Sequence, residues 1–391
     1  MIINSRTVTF LLILSQFLGT SLWFVGNISI PQLPIPEAED PTAISTALSV
    51  VQFGFIIGTL IYAFFLIADR FSPSKVFMLS AIAAAICNLG LIIPQADYNT
   101  ILGFRCLTGF FLAGIYPVGM KIASDYYEKG LGLTLGYLVG ALVLGTAFPH
   151  LLDSLGLQFD YKIITWITSF LAVLGGILVG LCIPNGRFRK KQNEFKWHAI
   201  TLILKIKDLR KAAYGYFGHM WELYAFWVFL PLFLKFYNTF QGSALNVSLW
   251  SFFCISIGAL SCAFGGHLSL KAGSEKIAKS ALGISALCCM ISPLAFLLSP
   301  IPFLCFMLFW GALVAADSPQ FSSMVASGAT GEMRGSALTL VNCIGFAISV
   351  ISIQLLGILA DTFDLRYIYI SLALGPILGL LKMGVFISKT E

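Results

Sequence analysis

The chain has 391 residues, of which 58% are hydrophobic, 14% aromatic and only 11% charged, and it carries a formal net charge of +6. A soluble globular domain carries about a quarter charged residues, so these proportions exclude a water-soluble globule. The polar stretches are also too short for an aqueous domain of a size that folds alone, and no GxxxxGK[ST] phosphate loop occurs.

Crossing a bilayer takes roughly 20 consecutive apolar residues per helix. Twelve such runs follow in order, at 8–30, 44–68, 76–94, 100–122, 131–152, 162–183, 212–236, 247–270, 277–298, 301–325, 336–360 and 367–387. None alternates polar and apolar residues every second position, as the strands of a membrane barrel would. The first run is longer than a signal-peptide core and lacks a small-residue cleavage site, so a retained helix is expected. The expected fold is all-α: twelve transmembrane helices in two six-helix bundles, 1–183 and 212–391, joined by a basic linker, 184–211. The nine cysteines all fall in spans without metal-ligand spacing and read as small apolar fillers. No metal or cofactor is expected.

In span one, Gln16, Trp23 and Asn27 are polar or aromatic candidates for a solute-facing wall. The connector after span two reads FLIADRFSPSK (65–75) and contains Asp69 and Arg70. Span four carries Arg105, the clear cation well inside a span, and ends in Tyr116-Pro117. A guanidinium is a rigid fork for oxyanions, so Arg105 reads as an anion-coordinating or proton-path residue; the alternative is a standing ion pair with Asp97 or another acid near the outer surface. The linker holds nine basic residues against Glu194 and Asp208, a net charge of +7. No aromatic platform accompanies it, so it is read as a topology anchor on anionic lipid rather than a nucleic-acid patch.

Span seven contains GYFGHMWELYAFW (215–227). A charged side chain at a helix centre costs about 2.5–3.5 kcal/mol on insertion scales, so Glu222 demands an explanation. His219 lies three residues earlier, on the same helix face. The face of His219, Glu222 and Phe226 is expected to line an intermittently wet cavity, where a carboxyl alternately dry and hydrated carries a proton; the alternative is that Glu222 is simply protonated, or bonded to a neighbouring helix, and holds the bundle together. Tyr224, Trp227 and, in span eleven, Asn342 are further wall candidates. Asp317 precedes Ser318-Pro319 in span ten; it is expected to pair with a base or to cap a break that the proline permits.

Basic residues of short loops stay on the cytoplasmic side. Arg6, Arg70, Lys75, Lys129, the linker, Lys271, Lys276, Lys279, Arg334 and Lys389 share one side with both termini, against Lys162, Lys235 and Arg366 on the other. Both termini are therefore expected in the cytoplasm. The halves also echo each other: FRCLTGFFLAGIYP (104–117) aligns with FMLFWGALVAADSP (306–319), pairing Gly109 with Gly311 and Pro117 with Pro319. Parallel repeats about an axis along the membrane normal are a transporter architecture.

Taken with these features, the chain resembles the major facilitator superfamily over essentially its whole length. Asp69 and Arg70 match the family's G-x-x-x-D-R-x-G-R-K loop, although Phe65, Ser72, Pro73 and Ser74 replace its other residues. Arg105 and Gly109 match R-x-x-x-G in span four. GLTLGYLVGALVLGTAFPH (132–150) resembles the fifth span of organic- and inorganic-anion members, including cyanate-permease-like proteins, and the drug-antiporter form G-x-x-x-G-P-x-x-G-G is absent. The resemblance implies a proton-coupled secondary transporter, with import of a small polar or anionic organic solute ahead of efflux of a metabolite, siderophore or drug. It also implies a cytoplasmic gate of Asp69, Arg70 and Arg334, and a monomer in a bacterial inner membrane. Two other classes were weighed. A membrane enzyme would draw on His150, His219 and His267, which no catalytic pattern links; a non-transporting sensor would use the basic linker to contact a partner. The expectation is that the protein is not an enzyme.

Overall fold

A computed structural model describes residues 4–127, 131–155, 160–189, 195–329 and 333–384. Lys129, Lys190, Lys191 and Lys389, counted above for orientation, lie outside these residues. Among the described residues, eleven helices are long and apolar enough to cross a membrane: α1 (Arg6–Gln32), α2 (Pro41–Phe64), α3 (Pro73–Ile92), α4 (Tyr98–Tyr126), α5 (Leu133–Ser154), α6 (Tyr161–Cys182), α7 (Lys207–Gln241), α8 (Val247–Ala272), α9 (Ser274–Ala295), α10 (Pro300–Gly328) and α11 (Arg334–Thr362). The twelfth, α12 (Ile368–Lys382), is shorter, and its first six residues form a 3-10 helix. Twelve helices fit the expected fold. The protein is an integral membrane protein.

The chain divides into two compact units, Met1–Phe195 and Lys196–Glu391, so the division falls inside the basic segment. Within the first unit α1 packs on α5 and α6, α2 on α4, and α3 on α6. Within the second, α7 packs on α11 and α12, α8 on α10, and α9 on α12. The same pairing recurs six helices on, which is what a duplicated bundle requires.

The glycines aligned between the halves show why the sequence echo exists. A Cβ placed on Gly109 of α4 would collide with the Val51 carbonyl oxygen of α2, and one on Gly311 of α10 would collide with the Cys254 carbonyl oxygen of α8. Each bundle thus needs a bare backbone at the same crossing, because small residues let membrane helices approach closely.

Three spans are broken. α4 is interrupted at residues 113–115, between Tyr98–Leu112 and Tyr116–Tyr126, and α10 at Asp317, between Pro300–Ala316 and Ser318–Gly328. In both, a proline (Pro117, Pro319) stands at the start of the second segment, where its missing N–H and fixed φ suit a helix beginning. α1 breaks over residues 21–24, between Ser5–Thr20 and Val25–Ser29, with no proline there.

Candidate functional site

The break in α1 leaves backbone carbonyls without helical donors, and in hydrocarbon such groups must be satisfied by protein. Arg105 supplies the donors. Its guanidinium, 0% exposed, donates to the Trp23 carbonyl at 2.7 Å, to the Leu22 carbonyl from both terminal nitrogens at 3.3 Å, and to Asn88 Oδ1 at 3.0 Å. Asn88, at the end of α3, in turn donates to Ser169 Oγ on α6 at 3.0 Å. One cation on α4 therefore ties α1, α3 and α6 together, and its terminal nitrogens face main-chain oxygen and an amide. Asp97 is not its counterion: that carboxylate caps α4, accepting from the Thr100 backbone N–H at 2.9 Å. Its hydrogen bonds with Thr100 hold its pKa below the ordinary carboxylate value.

In the second unit the acidic residues of α7 and α10 are both engaged. At the α10 break, Asp317 Oδ1 lies 2.7 Å from His219 Nδ1, with both side chains nearly fully buried. Of the two alternatives for Asp317 in the sequence, the pairing with a base occurs, at a break that the side chain does not cap with a hydrogen bond. Glu222, 1% exposed, turns its Oε1 toward three donors: Ser285 Oγ at 2.5 Å and Cys289 Sγ at 3.2 Å on α9, and Trp310 Nε1 at 2.8 Å on α10. Phe226, one turn on, packs its ring on Trp310 and Tyr369, with centroids 4.6 and 5.8 Å away.

Glu222 is thus bonded to neighbouring helices in this structure, as its alternative reading has it. Glu222 and Phe226 lie against the second unit's own α9, α10 and α12, and His219 lies against Asp317 and Phe321 of α10. Cys289 is likewise more than an apolar filler, since its thiol serves the carboxylate, and Cys262 donates to the Ala315 carbonyl at 3.1 Å beside the α10 break.

The remaining candidates divide between the units. In the first, Gln16 is buried with its side chain close to Gly119 of α4; Trp23 packs on Phe55 at 5.0 Å; Asn27 and Tyr116 are buried. In the second, Tyr224 packs between Trp227 and Phe346 at 5.4 and 5.1 Å, and Asn342 accepts from the Tyr216 hydroxyl at 2.7 Å. Among the described residues no group of three or more His, Cys, Asp or Glu side chains is placed to hold a metal ion.

Of the expected gate residues, Asp69 is buried and forms an ion pair with Lys121 of α4 at 3.0 Å; Lys121 also approaches Asp125 at 3.7 Å. Arg70 and Arg334 are exposed. Arg189, from the basic segment, donates to the carbonyls of Asp69 and Phe71 at 2.9 and 2.6 Å and so pins the connector between α2 and α3. Lys121 and Arg189, which hold Asp69, and Asp125, which shares Lys121 with it, were not singled out from sequence. The i, i+4 spacing of Lys121 and Asp125 at the end of a span is the signal that could have found two of them.

A model of the Major Facilitator Superfamily matches residues 12–353. Two rice (Oryza sativa subsp. japonica) proteins are similar in part: inorganic phosphate transporter 1-2 is 27% identical over 38% of this chain and 32% of its own length, and inorganic phosphate transporter 1-11 is 28% identical over 24% and 18%. The matches thus span a third or less of these relatives. Among solved structures, the nucleoside transporter NupG in a mutant form superposes with a TM-score of 0.72 at 16% identity, over 97% of this chain and 99% of that one. That likeness is one of fold. With the repeated helix pairing and a family match from α1 into α11, the chain belongs to the major facilitator superfamily.

Proposed function

We propose that the protein is a proton-coupled secondary transporter that moves a small polar organic solute, neutral or anionic, across a bacterial inner membrane by alternating access. Both termini lie in the cytoplasm, the protein acts as a monomer, and the direction is import. The observation that carries this reading is the buried acid set of the second unit: Glu222 held by three neutral donors, and Asp317 held by His219 at a helix break. An intramembrane carboxyl without a fixed cation gains or loses a proton whenever its surroundings change from dry to wet. Glu222, His219 and Asp317 are the coupling residues in this account.

Solute contact falls to Gln16, Trp23, Asn27 and Tyr116 of the first unit and Tyr224, Trp227 and Asn342 of the second. Arg105 acts on the solute indirectly, by holding the α1 segment that bears Trp23 and Asn27; direct anion coordination by its guanidinium would require breaking bonds to Leu22, Trp23 or Asn88. The Asp69–Lys121 pair, with Arg70 and Arg334, forms the cytoplasmic gate, which opens once per cycle. The names of the rice relatives favour phosphate as an alternative cargo, and efflux of a metabolite, siderophore or drug is the alternative direction.

The test is a ligand-stabilisation screen of the purified protein at two pH values, followed by flux of each stabilising solute into proteoliposomes with and without an imposed pH gradient. Uptake that rises with an inward proton gradient supports the reading. Stabilising solutes that never cross the membrane would favour a sensor.

A further inference from the structure

We infer that His219 Nε2 is a solute-contact atom whose hydrogen-bond polarity is set by a proton held with Asp317, and that the solute offers it an acceptor oxygen, as a carbonyl or carboxylate does. His219 Nδ1 lies 2.7 Å from Asp317 Oδ1, and both side chains are nearly fully buried. The approach is not aligned as a hydrogen bond. Two lone pairs nevertheless repel at that distance, so a proton stands between the nitrogen and the oxygen. The other ring nitrogen, Nε2, is buried and has no hydrogen-bond partner. The ring is flanked by those of Tyr216 and Phe321, with centroids 5.9 and 6.3 Å away, and the Tyr216 hydroxyl donates to Asn342 instead. Buried polar atoms are nearly always hydrogen-bonded, because leaving one unmade is destabilising. An orphaned nitrogen on a side chain already placed in the coupling set therefore points to a ligand atom that completes it.

The kind of ligand atom follows from the proton count. With a single proton on the pair, that proton sits on Nδ1 beside the carboxylate, and Nε2 presents a lone pair. A second proton gives either imidazolium beside carboxylate, or imidazole beside a carboxylic acid whose O–H donates to Nδ1. Nε2 carries an N–H in both forms. One atom thus changes from acceptor to donor when the pair is loaded, wherever the added proton settles. Given proton-coupled import as proposed above, solute and proton must bind together, which selects a solute acceptor on the loaded pair. A solute donor would bind the unloaded pair and exchange against the proton, the arrangement for efflux. Titratable side chains near the pair are Tyr216 and Glu222 on α7, Cys262 on α8, Cys289 on α9 and Cys343 on α11. On α9, Lys279 and Glu275 pair with each other at 2.6 Å. The sequence of α12 has no titratable residue between Tyr369 and Lys382.

The experiment places the full chain, with its four histidines labelled with nitrogen-15, in lipid bilayers and reads the ring nitrogens by solid-state NMR. The His219 signals are those lost in His219→Gln. In sodium chloride, Nε2 should pass from unprotonated to protonated as the pH is lowered. Acetate, a minimal carboxylate acceptor, then replaces chloride at equal ionic strength and at a pH where little of the pair is loaded. At about ten times its dissociation constant it should raise the fraction with protonated Nε2 about tenfold, because a ligand of the loaded form stabilises that form. Asp317→Asn should lose the pH-dependent change, since an amide can donate to Nδ1 and leave a proton on Nε2 at every pH. Asp317→Glu should restore it, and unfolding temperatures show whether each variant is folded. An Nε2 that never changes in wild type, equal fractions in acetate and chloride, or an unchanged response in folded Asp317→Asn would overturn the inference. A fraction that falls when ammonium replaces sodium, with no rise in acetate, would overturn it in favour of a donor-bearing solute. Failure of the transport reading looks different: the acetate response is present, yet no stabilising solute crosses the membrane.

Discussion

Replacing Arg105 with Gln tests whether this cation holds the first unit together. The guanidinium, 0% exposed, satisfies the carbonyls of Leu22 and Trp23 at the α1 break and the amide oxygen of Asn88. Gln is shorter and can replace at most one of these bonds. Leaving a buried acceptor unmade costs about 1–3 kcal/mol, so two lost carbonyl partners amount to about 2–6 kcal/mol. Relief of the buried charge's desolvation offsets part of this, leaving a net loss of about 2–4 kcal/mol. For a unit of 195 residues, each kcal/mol moves the unfolding temperature by about 2–4 °C, so a drop of about 4–16 °C is expected. Intrinsic tryptophan fluorescence during heating in detergent measures it, without any solute present. Arg105→Lys should fall in between, because an ammonium can reach one or two of the acceptors but not span both carbonyls and Asn88. Unfolding of Arg105→Gln at the wild-type temperature, paired with loss of solute affinity, would refute the structural role and return Arg105 to anion recognition.

The aligned glycine crossings make a second prediction: Gly109→Ala and Gly311→Ala should each lose about 1–3 kcal/mol, the usual effect of overpacking. Gly103→Ala, with nothing within 4 Å of an added Cβ, should be neutral or slightly stabilising; equal unfolding temperatures for all three would refute the close-approach argument. Asp97 supplies a pH dependence. Its folded pKa is lowered, chiefly by its hydrogen bonds with Thr100, so its capping contribution is present above the ordinary carboxylate range and lost as pH falls through the lowered folded value. The difference in unfolding temperature between wild type and Asp97→Ala should therefore be largest at neutral pH and vanish in strong acid, and a difference that is constant with pH would count against the cap.

The count of spans was legible because each hydrocarbon crossing requires its own run of apolar residues, and the two-bundle organisation because the glycine at each crossing has no substitute. The α10 break was legible too, since Pro319 removes a donor within a span. The α1 break was not: residues 21–24 contain neither proline nor glycine, and the donor that stabilises it sits on α4, about 80 residues away. The surroundings of Glu222 were hidden for a similar reason. Ser285, Cys289 and Trp310 look like ordinary span residues, and only tertiary packing turns three neutral donors toward one carboxylate. Helical spacing tells that His219 and Glu222 share a face and not what that face meets. Asp69 was legible from its motif, whereas its ion-pair partner Lys121 sits on α4 and only packing brings the two together.

The central claim, that the buried carboxyl of α7 couples protons to solute movement, is tested most directly by Glu222→Gln in proteoliposomes, with gradient-driven accumulation and solute counterflow measured on the same preparation. The Gln side-chain oxygen can still accept from Ser285 and Trp310, so folding and counterflow should persist while accumulation driven by a pH gradient disappears. Accumulation at the wild-type level in the Gln variant would contradict the account.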